Sequence, residues 1–140
     1  RVLKNNKNRG VVYSFNKAIG LSKNKFIFLS DQDDIWVDGR VSKFIKKINN
    51  KNWLVTSNFS WIDEDDKMIK IEYDGVSELY SENNLKNIFD IYLGKTNYFG
   101  CAMCFNQNLK KLIFFIPKFV ESHDLWLSLC SNFIKRTISI

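Results

Sequence analysis

Three carboxylates fall within four residues, Asp31, Asp33 and Asp34, directly after the apolar run Phe26-Ile27-Phe28-Leu29. Like charges this close repel one another unless a cation is shared. Hard divalent cations such as Mg²⁺ or Mn²⁺ take oxygen ligands of this kind, often together with a substrate phosphate. The chemistry implied is a metal held against a phosphorylated ligand. A calcium-binding helix-loop-helix pattern fits Asp31 and Asp33 but fails afterwards, because Ile35 stands at the third ligand position and Trp36 at the obligatory glycine. The plainer reading is an acidic helix start that complements the helix dipole. Asp34 alone satisfies that need, and three acids exceed it.

A second candidate is His123-Asp124, preceded by Glu121-Ser122 and followed by Leu125-Trp126-Leu127. On spacing alone, a lone His more often satisfies a local hydrogen bond, and an Asp at a helix start is more often a cap. An acid remote from the first cluster, at the head of an apolar helix, is also suited to general-base work. Asp63-Glu64-Asp65-Asp66 precedes Lys67 and lacks a buried strand before it, so it reads as a solvated turn. Asn8-x-Gly10 and Asn16 are a weak signal: Gly10 either allows close backbone approach to a ligand or makes a turn before a helix. Neither common type of Gly-rich phosphate loop is present.

These residues need elements to hold them. A strand over Lys25–Ser30 would leave the three acids just past its end. Helical spacing predicts a helix from about Val12 to Ser22, with Phe15, Ala18, Ile19 and Ser22 on one face. A second helix is expected after Asp38 as N-cap, with Val41, Phe44, Ile45 and Ile48 facing inward and Lys43, Lys46 and Lys47 outward. Further expectations are a strand over Trp53–Asn58, two short extended pieces around the acidic turn, and a helix over Ser81–Leu93 with Leu85, Ile88, Phe89 and Tyr92 on its apolar face. A strand over Tyr98–Phe105, a short helix near Gln107–Phe114 and a last helix from Glu121–Asp124 onward complete the list. That last helix is apolar nearly all round, which implies burial on more than one side. Strands alternating with helices predict an α/β protein with a mainly parallel sheet. Ligands of such sheets bind outside the carboxyl ends of strands, where the Asp31 cluster would lie.

A chain of 140 residues is one domain's worth or less, and its 45% hydrophobic content is enough for a packed core, which excludes general disorder. The net charge of +6 suits anionic partners without choosing among them. Three cysteines, Cys101, Cys104 and Cys130, are too few and too uneven for a disulfide framework. Cys101-x-x-Cys104 resembles a metal or redox pair. On a strand, however, residues three apart point to opposite faces, so both read as small buried apolar residues. No apolar run reaches bilayer-spanning length. The start at Arg1 and a strand-like end at Thr137–Ile140 suggest a segment of a longer protein.

The residues Asn8-Arg9-Gly10, Phe15-Asn16-Lys17-Ala18 and Ser30-Asp31-Gln32-Asp33-Asp34-Ile35-Trp36 resemble the core of glycosyltransferase family 2. The resemblance is greatest to bacterial rhamnosyltransferase-like enzymes. It continues through Asn97–Asn106 and His123-Asp124-Leu125-Trp126, and so covers most of the chain. It implies a GT-A fold, Rossmann-related, with a mostly parallel sheet flanked by helices. The implied reaction is inverting transfer of a sugar, rhamnose in that subgroup, from a nucleotide-diphosphate donor to a glycan or lipid-linked acceptor in surface-polysaccharide synthesis. Asp31 and Asp33 match the family's Asp-x-Asp metal motif, with Mg²⁺ or Mn²⁺ as the cation. Asn8, Gly10, Asn16 and Asp34 join them on the donor side. Asp124 matches the general base, with His123 and Trp126 on the acceptor side. No nucleic-acid partner is implied. The location implied is cytoplasmic, with peripheral contact at the inner face of the membrane permitted by the basic charge and the greasy last helix.

Two departures stand out. Many relatives carry Arg where Phe15 stands. The family's first, nucleotide-binding strands would also precede Arg1, which makes residues 1–140 a partial catalytic domain with weak or no transferase activity alone. Two other readings compete: a metal-dependent enzyme acting on phosphoesters or nucleotidyl groups, and an inactive fragment or binding module of the same fold.

Overall fold

A computed structural model describes residues 2–70, 81–113 and 115–140. Phe114, the expected end of one helix, lies outside them. The chain opens with helix α1 (Val11–Leu21), strand β1 (Phe26–Phe28), helix α2 (Arg40–Lys47) and strand β2 (Leu54–Thr56). A hairpin of β3 (Trp61–Ile62) and β4 (Met68–Ile69) follows, with the acidic turn Asp63–Asp66 between its strands as expected. Then come α3 (Asn84–Tyr92), a 3₁₀ turn at Gly100–Ala102, β5 (Met103–Asn106), α4 (Gln107–Ile113), α5 (His123–Phe133) and β6 (Thr137–Ser139).

The main sheet has the order β1-β5-β2-β6. It is mixed, not mainly parallel: β5 runs antiparallel to both β1 and β2, and only β2 and β6 are parallel. α3, in the connection from β2 to β5, packs chiefly on α5. The chain enters β5 from the same edge at which β1 and β2 end. Phe28 pairs with Cys104 and Thr56 with Met103, so the Gly100–Ala102 turn sits at the carboxyl edge of β1, beside the acid cluster. Tyr98–Phe105 is thus a loop, a 3₁₀ turn and a strand in succession, not one strand.

Side chains alternate across the sheet, as strand geometry dictates. Ile27, Leu29, Leu54, Met103 and Phe105 join Ile19, Leu109 and Leu127 in the larger core, under α1, α4 and α5. Val55 and Cys104 face the other way and meet Phe44 and Ile48 of α2, with Phe26 and Phe28 alongside. The result is helix, sheet and helix in three layers, the α/β class expected.

Two helix readings need correction. α2 starts after Gly39, which has φ 74° and makes no side-chain cap, so Asp38 is not its N-cap. On α3 the inward residues are Asn87 and Ile91. Phe89 is 65% and Tyr92 85% exposed, and Leu85 is also exposed. A polar residue took the buried position because its amide is fully used. Asn87 donates to the Ser81 carbonyl at 2.7 Å and to Asn132 Oδ1 at 3.1 Å. Asn132 in turn donates to the Tyr98 hydroxyl at 3.3 Å. A buried amide with partners at this density rigidifies its surroundings, and here it ties α3, α5 and the approach to the 3₁₀ turn together. The greasy reading of α5 holds for Leu127, but His123, Ser128, Ser131 and Asn132 are its other buried residues, and Phe133 is exposed.

Candidate active site

The acid cluster forms a closed loop around Ser30. Asp34 Oδ2 accepts the Asp31 backbone N–H at 2.7 Å and the Ser30 hydroxyl at 3.4 Å. The Trp36 indole N–H donates to Ser30 Oγ at 3.2 Å, and its ring lies 5.5 Å from that of Phe28. Asp34 is therefore occupied in shaping the loop. The carboxylates of Asp31 and Asp33 accept no hydrogen bond from the described residues and are exposed. Burial lifts the Asp31 pKa above the ordinary aspartate value, and the neighbouring Asp34, Asp33 and Asp124 charges add to this, while His123 opposes it.

Asp31 borders a cleft of about 610 Å³ lined by Asn8, Gly10, Val11, Ser14, Phe15, Ser30 and Gln32. α1 begins at this cleft. Gly10 precedes it with φ 81°, a left-handed conformation that favours glycine, and its N–H donates to Asn8 Oδ1 at 2.9 Å. Gly10 thus makes the turn that opens a helix toward the cleft. Asn16 does not line the cleft; its Oδ1 accepts the Ile116 N–H at 3.2 Å, on the way to α4 and α5.

Asp124 and Asp31 are both close enough for their charges to act on His123. Ser122 caps α5, its hydroxyl accepting the Leu125 N–H at 3.3 Å. Capping therefore does not fall to Asp124 alone. Asp124 Oδ2 accepts the Gly100 N–H at 2.9 Å and Oδ1 the Leu125 N–H at 3.0 Å. Two backbone donors aim the carboxylate while leaving each oxygen a further acceptor site.

His123, beside Asp124 at the head of α5, is 6% exposed. Its ring stacks on Phe15 with centroids 3.8 Å apart and planes 9° from parallel. Both ring nitrogens are buried without a partner among the described residues. Burial lowers its pKa, while Asp124 and Asp31 act in the opposite direction. Trp126 packs against the larger core and its indole N–H is buried and unpartnered, so it does not line the cleft.

The reason for glycine at 100 is space. A Cβ there would lie 2.9 Å from His123 Nε2. Gly100→Ala is expected to destabilise the fold by about 1–3 kcal/mol through overpacking. Adding His123→Ala should recover part of that loss, which paired denaturant titrations of the single and double variants would measure.

Cys101 lies in the 3₁₀ turn and Cys104 in β5, so the strand argument applied to the pair was wrong for Cys101. Both are free thiols. Burial raises Cys101 to about 11 and Cys104 to about 12, which keeps them protonated and poorly nucleophilic.

No group of three or more His, Cys, Asp or Glu side chains is arranged as a metal cage among the described residues. A Mg²⁺-type site does not require one, since one or two carboxylates and substrate phosphates commonly complete it. The cleft supports that arrangement: its lining contains one charged side chain, the anionic Asp31, and no Lys or Arg. A diphosphate beside Asp31 would meet a negative charge that no lining Lys or Arg offsets. Asp31 and Asp33 therefore fit a shared divalent cation.

The raised Asp31 pKa has a testable sign. The native state holds this proton more tightly than the unfolded chain, so stability falls as pH rises from the ordinary aspartate range through the native value. At pH 7 without metal, Asp31→Asn should therefore raise the melting temperature. A lower melting point in calorimetry would show that the carboxylate contributes to the fold instead.

The chain matches glycosyl transferase family 2 over residues 1–113. It is also 30% identical to an uncharacterized glycosyltransferase of Methanocaldococcus jannaschii, over 97% of this chain and 46% of that protein. No solved structure gives a significant match. The chain belongs to glycosyltransferase family 2. It spans about half the length of the curated relative it matches. The family match contains the Asp31 cluster and ends before Asp124. No helix among the described residues is long and apolar enough to cross a membrane.

Proposed function

We propose that this chain carries the catalytic centre of an inverting, metal-dependent glycosyltransferase. The carrying observation is the convergence of the Asp31 loop and Asp124 on one sheet edge, Asp31 following β1 and Asp124 bonding to the Gly100 turn beside it. Asp31 and Asp33 hold a divalent cation, Mg²⁺ or Mn²⁺, and with it the diphosphate of a nucleotide sugar. When bound, that cation offsets the charge that develops on the departing diphosphate. Asn8, Gly10 and the start of α1 border the donor, and Asp34 shapes the loop beneath it. Asn16 has a different task, bonding to Ile116.

Asp124 acts as the general base. It takes the proton of an acceptor hydroxyl as that oxygen bonds to the anomeric carbon. The bond from that carbon to the diphosphate oxygen breaks on the opposite face, and the nucleoside diphosphate departs. His123 holds the wall between donor and acceptor sides. The Ser-Asp-Gln-Asp-Asp-Ile-Trp segment favours rhamnose as the sugar and a glycan or lipid-linked acceptor of the cell surface. The net charge of +6 is compatible with peripheral contact at an anionic membrane.

Calorimetric titration of UDP and dTDP, with and without Mn²⁺, tests the reading. Binding that requires Mn²⁺ and leaves the nucleotide intact supports it. Hydrolysis of the nucleotide would favour a phosphoester enzyme, and binding indifferent to the cation would remove the metal from the proposal.

A further inference from the structure

Arg40, at the start of α2, stands outside the cleft yet touches both sides of the site. Its guanidinium donates to the carbonyl of Cys101, the central residue of the 3₁₀ turn. The same group lies 4.7 Å from the Trp36 ring centroid and 5.3 Å from that of Phe44. Trp36 holds Ser30, and Ser30 and the Asp31 N–H hold Asp34. In the other direction, the turn that Arg40 grips presents the Gly100 N–H to Asp124 Oδ2 at 2.9 Å. One side chain therefore joins the loop bearing Asp31 and Asp33 to the turn that aims Asp124. Its Nε is buried without a partner among the described residues.

We propose that Arg40 is a positioning residue that keeps the metal-bearing loop and the turn beneath Asp124 in one fixed relation. The assignment rests on the transferase reading for its consequence in catalysis. Its physical content, a mechanical link between two loops, does not. A planar guanidinium can stack on a ring while donating in its own plane to a carbonyl. Lysine has a point-like ammonium and cannot do both at this site.

The test compares Arg40→Ala, Arg40→Lys and the control Arg136→Ala. Arg136 also stacks on a tryptophan, 5.6 Å from Trp53, and donates to a backbone carbonyl, that of Lys51, away from the cleft. Amide hydrogen exchange is followed over residues 30–36 and 100–102, along with kcat and KM for sugar transfer. Arg40→Ala is expected to speed exchange about tenfold or more in both segments. It should lower kcat about 10–100-fold and leave the donor KM within about threefold, since Arg40 touches neither substrate. Arg40→Lys should recover only part of either loss. Arg136→Ala should change neither, even at an equal drop in melting temperature. Faster exchange in only one segment, an unchanged kcat, or the same pattern in Arg136→Ala overturns the proposal. If the unmutated chain shows no Mn²⁺-dependent nucleotide binding, the transferase reading fails, and the exchange data still decide whether Arg40 links the two loops.

Discussion

Asp124→Asn is expected to lower kcat for sugar transfer by about 10²–10⁴-fold, the usual range for loss of a positioned general base. The amide keeps the shape of the carboxylate but cannot accept the acceptor's proton. Nucleotide binding should be nearly unchanged, because the metal ligands and the cleft lining belong to the loop after β1 and to α1. A second effect accompanies the first. Both carboxylate oxygens accept a backbone N–H, one from Gly100 and one from Leu125. An amide has one oxygen; turned to Gly100 it leaves the Leu125 N–H on the Ser122 hydroxyl, and turned to Leu125 it leaves the Gly100 N–H unpaired, at a cost of about 1–3 kcal/mol where that group is shielded from water. Steady-state kinetics alongside denaturant unfolding would separate these contributions. Full activity in Asp124→Asn would mean that the base lies elsewhere.

Asp33→Ala should remove the difference between nucleotide titrations with and without Mn²⁺. Asp33 accepts no hydrogen bond from the described residues and is exposed, so its loss leaves the loop's own network of Asp34, Ser30 and Trp36 intact. The melting temperature should scarcely move, because a surface substitution away from such a network is normally worth less than about 0.5 kcal/mol. The lining offers no Lys or Arg to hold a diphosphate in the cation's place, only the backbone at the start of α1. The same argument sets the pH dependence. Protons compete with the cation for Asp31, whose pKa stands above the ordinary aspartate value, so metal affinity should begin to fall at a higher pH than for an unperturbed aspartate. Metal-independent nucleotide binding of equal strength in Asp33→Ala would refute the assignment.

Local patterns carried much of the site into view. Asp31 and Asp33 after an apolar run, and His123-Asp124 heading a helix, were legible because strand ends and helix starts have short-range signatures. The three-layer α/β arrangement followed from the alternation of elements. The direction of β5 did not, since strand sequences read alike in either orientation and its pairings with β1 and β2 join residues far apart in the chain. The buried face of α3 was misread for a related reason. Asn87 counts as polar in any periodicity, and only its partners Ser81 and Asn132 make it an inward residue. Asp34 was grouped with its neighbours by charge, yet its bond to the Asp31 N–H gives it a separate task. Gly100 and Arg40 carry no motif. A glycine just ahead of a strand was the one available hint for the first, and nothing in the sequence points to the second.

The contact between α1 and the head of α5 gives Phe15 a further use, because its ring rests flat on His123. His123 is the single histidine of the chain. Its carbon-bound ring protons should therefore give one isolated pair of proton resonances, displaced upfield by the aromatic ring current above them. Any opening of α1 away from α5 would return those lines toward the positions of a free imidazole. Phe15 thus supplies a built-in magnetic reporter of the contact between α1 and α5.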